Sequence, residues 1–325
     1  MEAKIKHTAS SERRASEMYA LVERLYPLCR SITGNGVRQT LRMVQEHLPI
    51  DLHEVASGTK VFDWTVPEEW NIREAWISTL DGRRVVDFQH SNLHVVGYSV
   101  PVRGRFSVDA LKRHLHVLED HPDWIPYRTS YYHRDWGFCL TKRQYDALTE
   151  PEYEVSIDAS LAAGALTYGE LVLPGRVSDE IVISAHTCHP SMCNDNLSGI
   201  AVATFLGREL STWERRFTYR LLFIPGTIGS LTWLATHRLV VPNIRGGLSL
   251  VCLGDGRPLT YKKSLMGNGP LDRAAARVFR DRGRGEHAVD FFPFGYDERQ
   301  FNAPGFRIPC GSLMRARHGQ FPEYH

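Results

Sequence analysis

Long apolar runs are absent from this 325-residue chain, and none approaches the roughly 18 consecutive apolar residues of a membrane-spanning helix. An excess of one charge is absent too: 39 Lys and Arg stand against 37 Asp and Glu, a formal net charge of +2, which excludes the basic footprint of a nucleic-acid binder. The Arg-rich run Arg273 to Arg284 does not restore one, because Ala274, Val278 and Phe279 interrupt it as on a solvated amphipathic helix. Cysteine is scarce. Its 6 copies (Cys29, Cys139, Cys188, Cys193, Cys252, Cys310) are scattered, which suits reduced thiols better than a disulfide framework. The polar, charged N-terminal residues do not follow the charged-then-apolar order of a secretory signal. These absences lead to the expectation of a cytoplasmic protein without membrane or nucleic-acid partners, with a homo-oligomer left open. Internal repeats and low-complexity segments are also lacking.

What is present supports a sizeable core, since 42% of the residues are hydrophobic. Ser10 or Ser11 can cap a helix with Met18, Leu21, Val22 and Leu25 on one face before Pro27, and Val37, Leu41, Val44 and Leu48 repeat at helical spacing before Pro49. From about residue 54 to 145 the texture changes to short, aromatic-rich β-like pieces, and from about 150 strand-like and helical segments alternate. The pattern predicts an α/β protein: a mixed or parallel sheet flanked by helices, with a separate β-rich module at about 54–145.

The chemistry concentrates in residues 184 to 199, Ser-Ala-His-Thr-Cys-His-Pro-Ser-Met-Cys-Asn-Asp-Asn-Leu-Ser-Gly. A buried strand, Glu180 to Ala185, delivers His186 at its carboxyl end, and a helix is entered through Asn196 just after Asp195. Strand carboxyl ends and helix entrances are where open α/β sheets build sites. Imidazole and carboxylate are good zinc ligands, which makes His186 and Asp195 metal candidates, with Asp255 after a second apolar strand. Each has an ordinary alternative. Taken alone, Asp255-Gly256 reads more readily as a turn. His186, Cys188, His189 and Cys193 could form a compact structural zinc knuckle, or Cys188 could be a nucleophile beside His189.

In order along the chain, His186, Asn194-Asp195-Asn196-x-Ser198-Gly199, Gly229-Ser230, Asp255, Tyr296-Asp297-x-x-x-Phe301 and Tyr324-His325 resemble the co-catalytic zinc aminopeptidases, a family that also includes glutaminyl cyclases. The whole chain is similar to a bacterial aminopeptidase-like family of poorly defined function, through phrases such as Ser57-Gly58-Thr59-Lys60-Val61-Phe62-Asp63-Trp64 and Ile125-Pro126-Tyr127-Arg128-Thr129-Ser130-Tyr131-Tyr132. Those relatives carry a β-rich module nested within the peptidase-like domain, which implies a mixed-sheet α/β domain from residues 1–53 and 146–325 with an inserted β-rich domain at 54–145. They occur near genes for sugar or secondary-metabolite assembly, and continue past the Tyr-His motif into a winged helix, whereas the present sequence stops at that motif.

The resemblance implies that His186 and Asp255 bind one zinc, that Asp195 bridges two, and that His325 binds the second. It also exposes a departure. The family's Glu-Glu pair, general base and ligand, is replaced here by Ile224-Pro225-Gly226-Thr227-Ile228 before Gly229-Ser230, so one zinc is expected rather than two. Glu298 is the candidate replacement base, with a surface pair to Arg299 as its ordinary alternative; Asp297 and His189 are candidates for supporting the ligands. Tyr131 and Arg128 could face substrate, although an aromatic cluster in a small β module commonly forms its core. Tyr261-Lys262-Lys263-Ser264 could bring a cation to the site or form a solvated turn. The expected activity is zinc-dependent hydrolysis of an amide bond in a small molecule or short peptide; acyl transfer in natural-product assembly and an inactive scaffold are the alternatives.

Overall fold

The computed structural model describes residues 2–131, 133–317, 319–321 and 324, with side chains from residue 11 onward. Eight strands form the large sheet: β1 (Asp51–Ala56), β2 (Ala165–Leu173), β3 (Glu180–His186), β4 (Thr218–Ile224), β5 (Ile244–Leu250), β6 (Thr260–Lys262), β7 (His287–Val289) and β8 (Cys310–Met314). Their spatial order is β1-β2-β4-β3-β5-β8-β6-β7. The centre is parallel, with β3 between β4 and β5 and β8 beside β5, while β1, β2 and β6 join by antiparallel pairing. This is the mixed, helix-flanked sheet expected of a zinc-exopeptidase-like α/β protein.

Every residue of β3 is buried, as a strand covered on both faces requires. Side-chain alternation divides the core into two. Ile183, Ala185, Leu221 and Phe223 face one way, where they meet helices α1 (Glu2–Leu25), α2 (Asn35–Gln45) and α3 (Ser198–Ser211). The intervening Val182, Leu222 and Ile224 face the other way, toward α4 (Ile228–Thr236), the short α6 (Asp297–Phe301) and a second sheet. Helix α5 (Pro270–Arg282) carries the Arg-rich run and leaves Val278 exposed, as an amphipathic surface helix would.

The second sheet has four antiparallel strands in the order Arg84–Asp87, Glu69–Ser78, Glu152–Ala162, Val102–Ser107. Its longest strand, Glu152–Ala162, lies beyond the expected boundary at 145, so a division there would cut the sheet. The strand was read as part of the large sheet because its local pattern cannot show which partner it pairs with; Glu69–Ser78 is that partner. The two sheets share one apolar core, in which Trp70, Ile77 and Tyr153 join Val182, Leu222 and Trp233. A polar clamp reinforces the junction: Arg38 of α2 donates two bonds to Glu69, at 2.7 and 2.6 Å, and Glu69 also accepts from the Ala165 amide at 3.0 Å. Among the described residues no helix is long and apolar enough to cross a membrane.

Candidate metal centre

Strand β3 ends at His186, and the chain then turns through Thr187, Cys188 and His189 before an irregular turn, Cys193–Leu197, leads into α3. Asp195 and Asn196 leave helical geometry, and the peptide joining them is cis. The polar residues around Asp195 pin this turn to the extension of β5. The Gly254 amide donates to Asn194 Oδ1 at 2.7 Å, the Leu253 amide to Ser198 Oγ at 2.9 Å, and the Cys252 amide to Asn196 Oδ1 at 3.3 Å. The Asn196 amide in turn donates to the Leu250 carbonyl at 2.9 Å and to His186 Nδ1 at 3.2 Å, which leaves Nε2 of His186 facing the Asp195 carboxylate. Gly199 makes the packing possible, because a Cβ there would lie 2.4 Å from both Asn196 Oδ1 and the Leu250 carbonyl oxygen.

This scaffold brings three buried donors together. His186 Nε2 lies 2.7 Å from Asp195 Oδ1, His189 Nε2 lies 3.8 Å from Asp195 Oδ2, and one ligand atom from each residue falls within 4.8 Å of the others. Two imidazoles and a carboxylate are a zinc-type donor set, and three protein ligands with an open position form a catalytic rather than a structural zinc site. Tyr296 covers the group, its ring parallel to that of His186 at 4.3 Å and its hydroxyl 3.0 Å from His189 Nε2. Arg30, 1% exposed, holds the His189 carbonyl through Nε at 2.9 Å.

Of the expected ligands, His186 and Asp195 are brought together, and His189, expected as a supporting residue or as part of a zinc knuckle, joins them. Asp255 does not. Four residues separate it from the end of β5, which carries its carboxylate past the sheet; there it accepts from the Arg257 amide at 2.8 Å, the Ala316 amide at 3.2 Å and Asn194 Nδ2 at 3.2 Å. Asp255 thus forms the turn that its Asp-Gly sequence allows. His325 and Tyr132 lie outside the described residues. Tyr324 is half-buried beside the group, and its phenol is raised by burial and by the Asp195 carboxylate.

Glu298 also needs correcting, against both of its expected settings. It is fully buried, ion-paired with Lys262 and bonded by the Tyr296 amide at 3.1 Å, so it is neither a free general base nor a surface partner of Arg299. Among the described residues the Lys262 ammonium meets Glu298 rather than the donor group; it lies 4.5 Å from the Phe292 ring centroid and donates to the Phe294 carbonyl at 3.1 Å. Asp297 is buried and accepts from the Thr227 amide at 2.9 Å, and burial pushes its carboxyl up to about 6, against the pull of His186. The turn at 225–227, where a Glu-Glu pair would stand, presents Gly226 to Tyr296 and Cys188. Neither cysteine joins the donor group among the described residues: Cys193 is exposed, and burial pushes the Cys188 thiol up to about 12, against both a knuckle and a nucleophile.

The chain belongs to the family described as domain of unknown function DUF4910, whose model matches residues 19–325. It is 48% identical over 325 residues to a Clostridium acetobutylicum protein, covering all of this chain and 75% of that one, whose name joins an aminopeptidase-like domain to a candidate role in polysaccharide biosynthesis. A crystal structure of a candidate peptidase from that organism, also 48% identical, matches with a TM-score of 0.95 over 98% of this chain and 76% of that one. More distant matches share the fold alone. A zinc aminopeptidase from Bacillus subtilis gives a TM-score of 0.64 at 14% identity (96% of this chain, 88% of that one), and a peptidase M28 precursor from Shewanella amazonensis gives 0.62 at 12% (94% and 87%).

Beside the donor group, this DUF4910 member has a cavity of about 400 Å³. Tyr127, Arg128 and Tyr131 form one wall, and Cys188, His189 and Tyr296 another. The Tyr127 and Tyr131 hydroxyls are 2.9 Å apart, and the Tyr127 ring lies 5.1 Å from that of His189. Tyr131 and Arg128 thus reach the site, while Tyr131 also packs edge-on against Tyr98 within the aromatic core. The resemblance motifs contain Tyr127 and Tyr296 but assign neither a role, and nothing in the sequence marks Arg30.

Proposed function

We propose that this chain is a zinc-dependent hydrolase of amide bonds, aminopeptidase-like, acting on a small molecule or short peptide. The observation that carries this reading is the buried His186, His189 and Asp195 group at the carboxyl end of β3, opening on a cavity. The relative's name, with its link to polysaccharide biosynthesis, supports a small molecule over a folded protein as substrate. Zinc held by these residues, with His325 as a further candidate ligand, would polarise a carbonyl and acidify a bound water toward about pH 7. The Tyr296 hydroxyl stands at the cavity wall, 3.0 Å from His189 Nε2, where it can donate to a substrate oxygen. Asp297 holds the Thr227 amide and so fixes the opposite lip.

One observation favours a second reading, zinc-dependent acyl transfer. The turn at 225–227 carries no carboxylate, and Lys262 occupies Glu298, so the usual acceptor for a water proton is missing among the described residues.

Metal analysis of purified wild type, His186→Ala, Asp195→Ala and Asp255→Asn tests the assignment. Wild type and Asp255→Asn are expected to hold about one zinc per chain and the other two none, with amide turnover lost in parallel. A zinc-free wild type of unchanged stability sinks the proposal. Aminoacyl transfer to an added amine without hydrolysis selects the second reading.

A further inference from the structure

We infer that the substrate carries a carboxylate rather than a free ammonium group next to the scissile amide, and that Arg128 selects it. The inference rests on the hydrolase reading above and concerns the charge that the cavity accepts.

An ammonium group needs an anionic partner, and none lines the cavity among the described residues. None of the three acidic side chains around the donor group lines the cavity. Asp195 faces His186, Glu298 is paired with Lys262, and Asp297 is fully buried on the Thr227 amide. The cations are not neutralised in the same way. Arg128 is an exposed member of the cavity wall, and among the described residues no carboxylate forms an ion pair with it.

Behind the same wall, Arg30 is a buried guanidinium whose acceptors are all neutral: the His189 and Leu25 carbonyls and the Thr40 hydroxyl. Its Nη2 has no partner. Its guanidinium lies directly behind His189, a member of the cavity wall. With two guanidiniums lacking carboxylate partners and no lining acid among the described residues, this wall attracts anions and repels ammonium. Arg128 supplies the planar fork that binds a carboxylate through paired hydrogen bonds. A cavity of about 400 Å³ suits a small acidic amide.

The test uses three hydroxamates that share a zinc-binding head and differ in their tail charge: succinic acid monohydroxamate (carboxylate), β-alanine hydroxamate (ammonium) and acetohydroxamate (neutral). Each is titrated by calorimetry into zinc-loaded wild type and Arg128→Gln; because Arg128 is exposed, the variant is expected to fold. The carboxylate probe should bind wild type about tenfold or more tighter than the ammonium probe, and Arg128→Gln should bring the two within about twofold while leaving acetohydroxamate unchanged. Equal or tighter binding of the ammonium probe, or a preference that survives Arg128→Gln, overturns the inference while acetohydroxamate binding upholds the metal. Failure of all three probes on protein with measured zinc overturns the hydrolase reading, and this inference with it.

Discussion

Tyr296 lies flat on His186, with ring centroids 4.3 Å apart and planes 6° from parallel. Its hydroxyl also reaches His189 Nε2 at 3.0 Å, the same nitrogen that faces the Asp195 carboxylate at 3.8 Å, so the hydroxyl and an ion would compete for that nitrogen's lone pair.

Tyr296→Phe keeps the stacked ring and removes the hydroxyl. Zinc affinity, measured by chelator competition, should rise by about fivefold, while stability to urea changes by only about 1 kcal/mol. A fall in affinity would mean that the hydroxyl supports the bound ion instead.

Lys262 and Glu298 form an ion pair with both side chains inaccessible to solvent. Glu298→Gln leaves the ammonium without its counter-charge and should cost about 3 kcal/mol or more in urea unfolding, whereas Lys262→Met with Glu298→Leu should recover most of that loss. A single-variant effect below about 0.5 kcal/mol would show that the pair is not buried in solution.

The Arg38 guanidinium holds the Glu69 carboxyl down to about 2, despite the opposing effect of burial. A carboxylate lowered in the folded state contributes stability that is complete above its unfolded value of about 4.5 and is lost as pH falls through about 2. Glu69→Gln should therefore flatten the slope of unfolding free energy against pH across that window. An identical slope in wild type and variant would contradict the clamp.

Burial pushes the Cys188 thiol up to about 12, and Cys193 is exposed. Iodoacetamide at pH 8 should label Cys193 in the native protein and reach Cys188 only after unfolding, as read by peptide mass spectrometry. Native labelling of Cys188 would revive its reading as a nucleophile.

How far the sequence reached depended on the range of the interactions involved. The apolar run of β3, the helix entered after Asn196 and the amphipathic α2 all follow from residues close together in the chain, so periodicity and turn chemistry exposed them. The strand Glu152–Ala162 was visible as a strand, but its sheet was not, because pairing depends on Glu69–Ser78 far upstream.

By itself, then, the sequence determined that His186 ends a buried strand and that Asp195 stands at a helix entrance, since both placements are local. Only the tertiary structure decided that His189 rather than Asp255 completes the donor group and that Glu298 is held by Lys262, 36 residues away. The physical reason is that side-chain direction after a strand end, and the partner available to a buried charge, are set by packing among β3, β5, β6 and α6. No single segment carries that information.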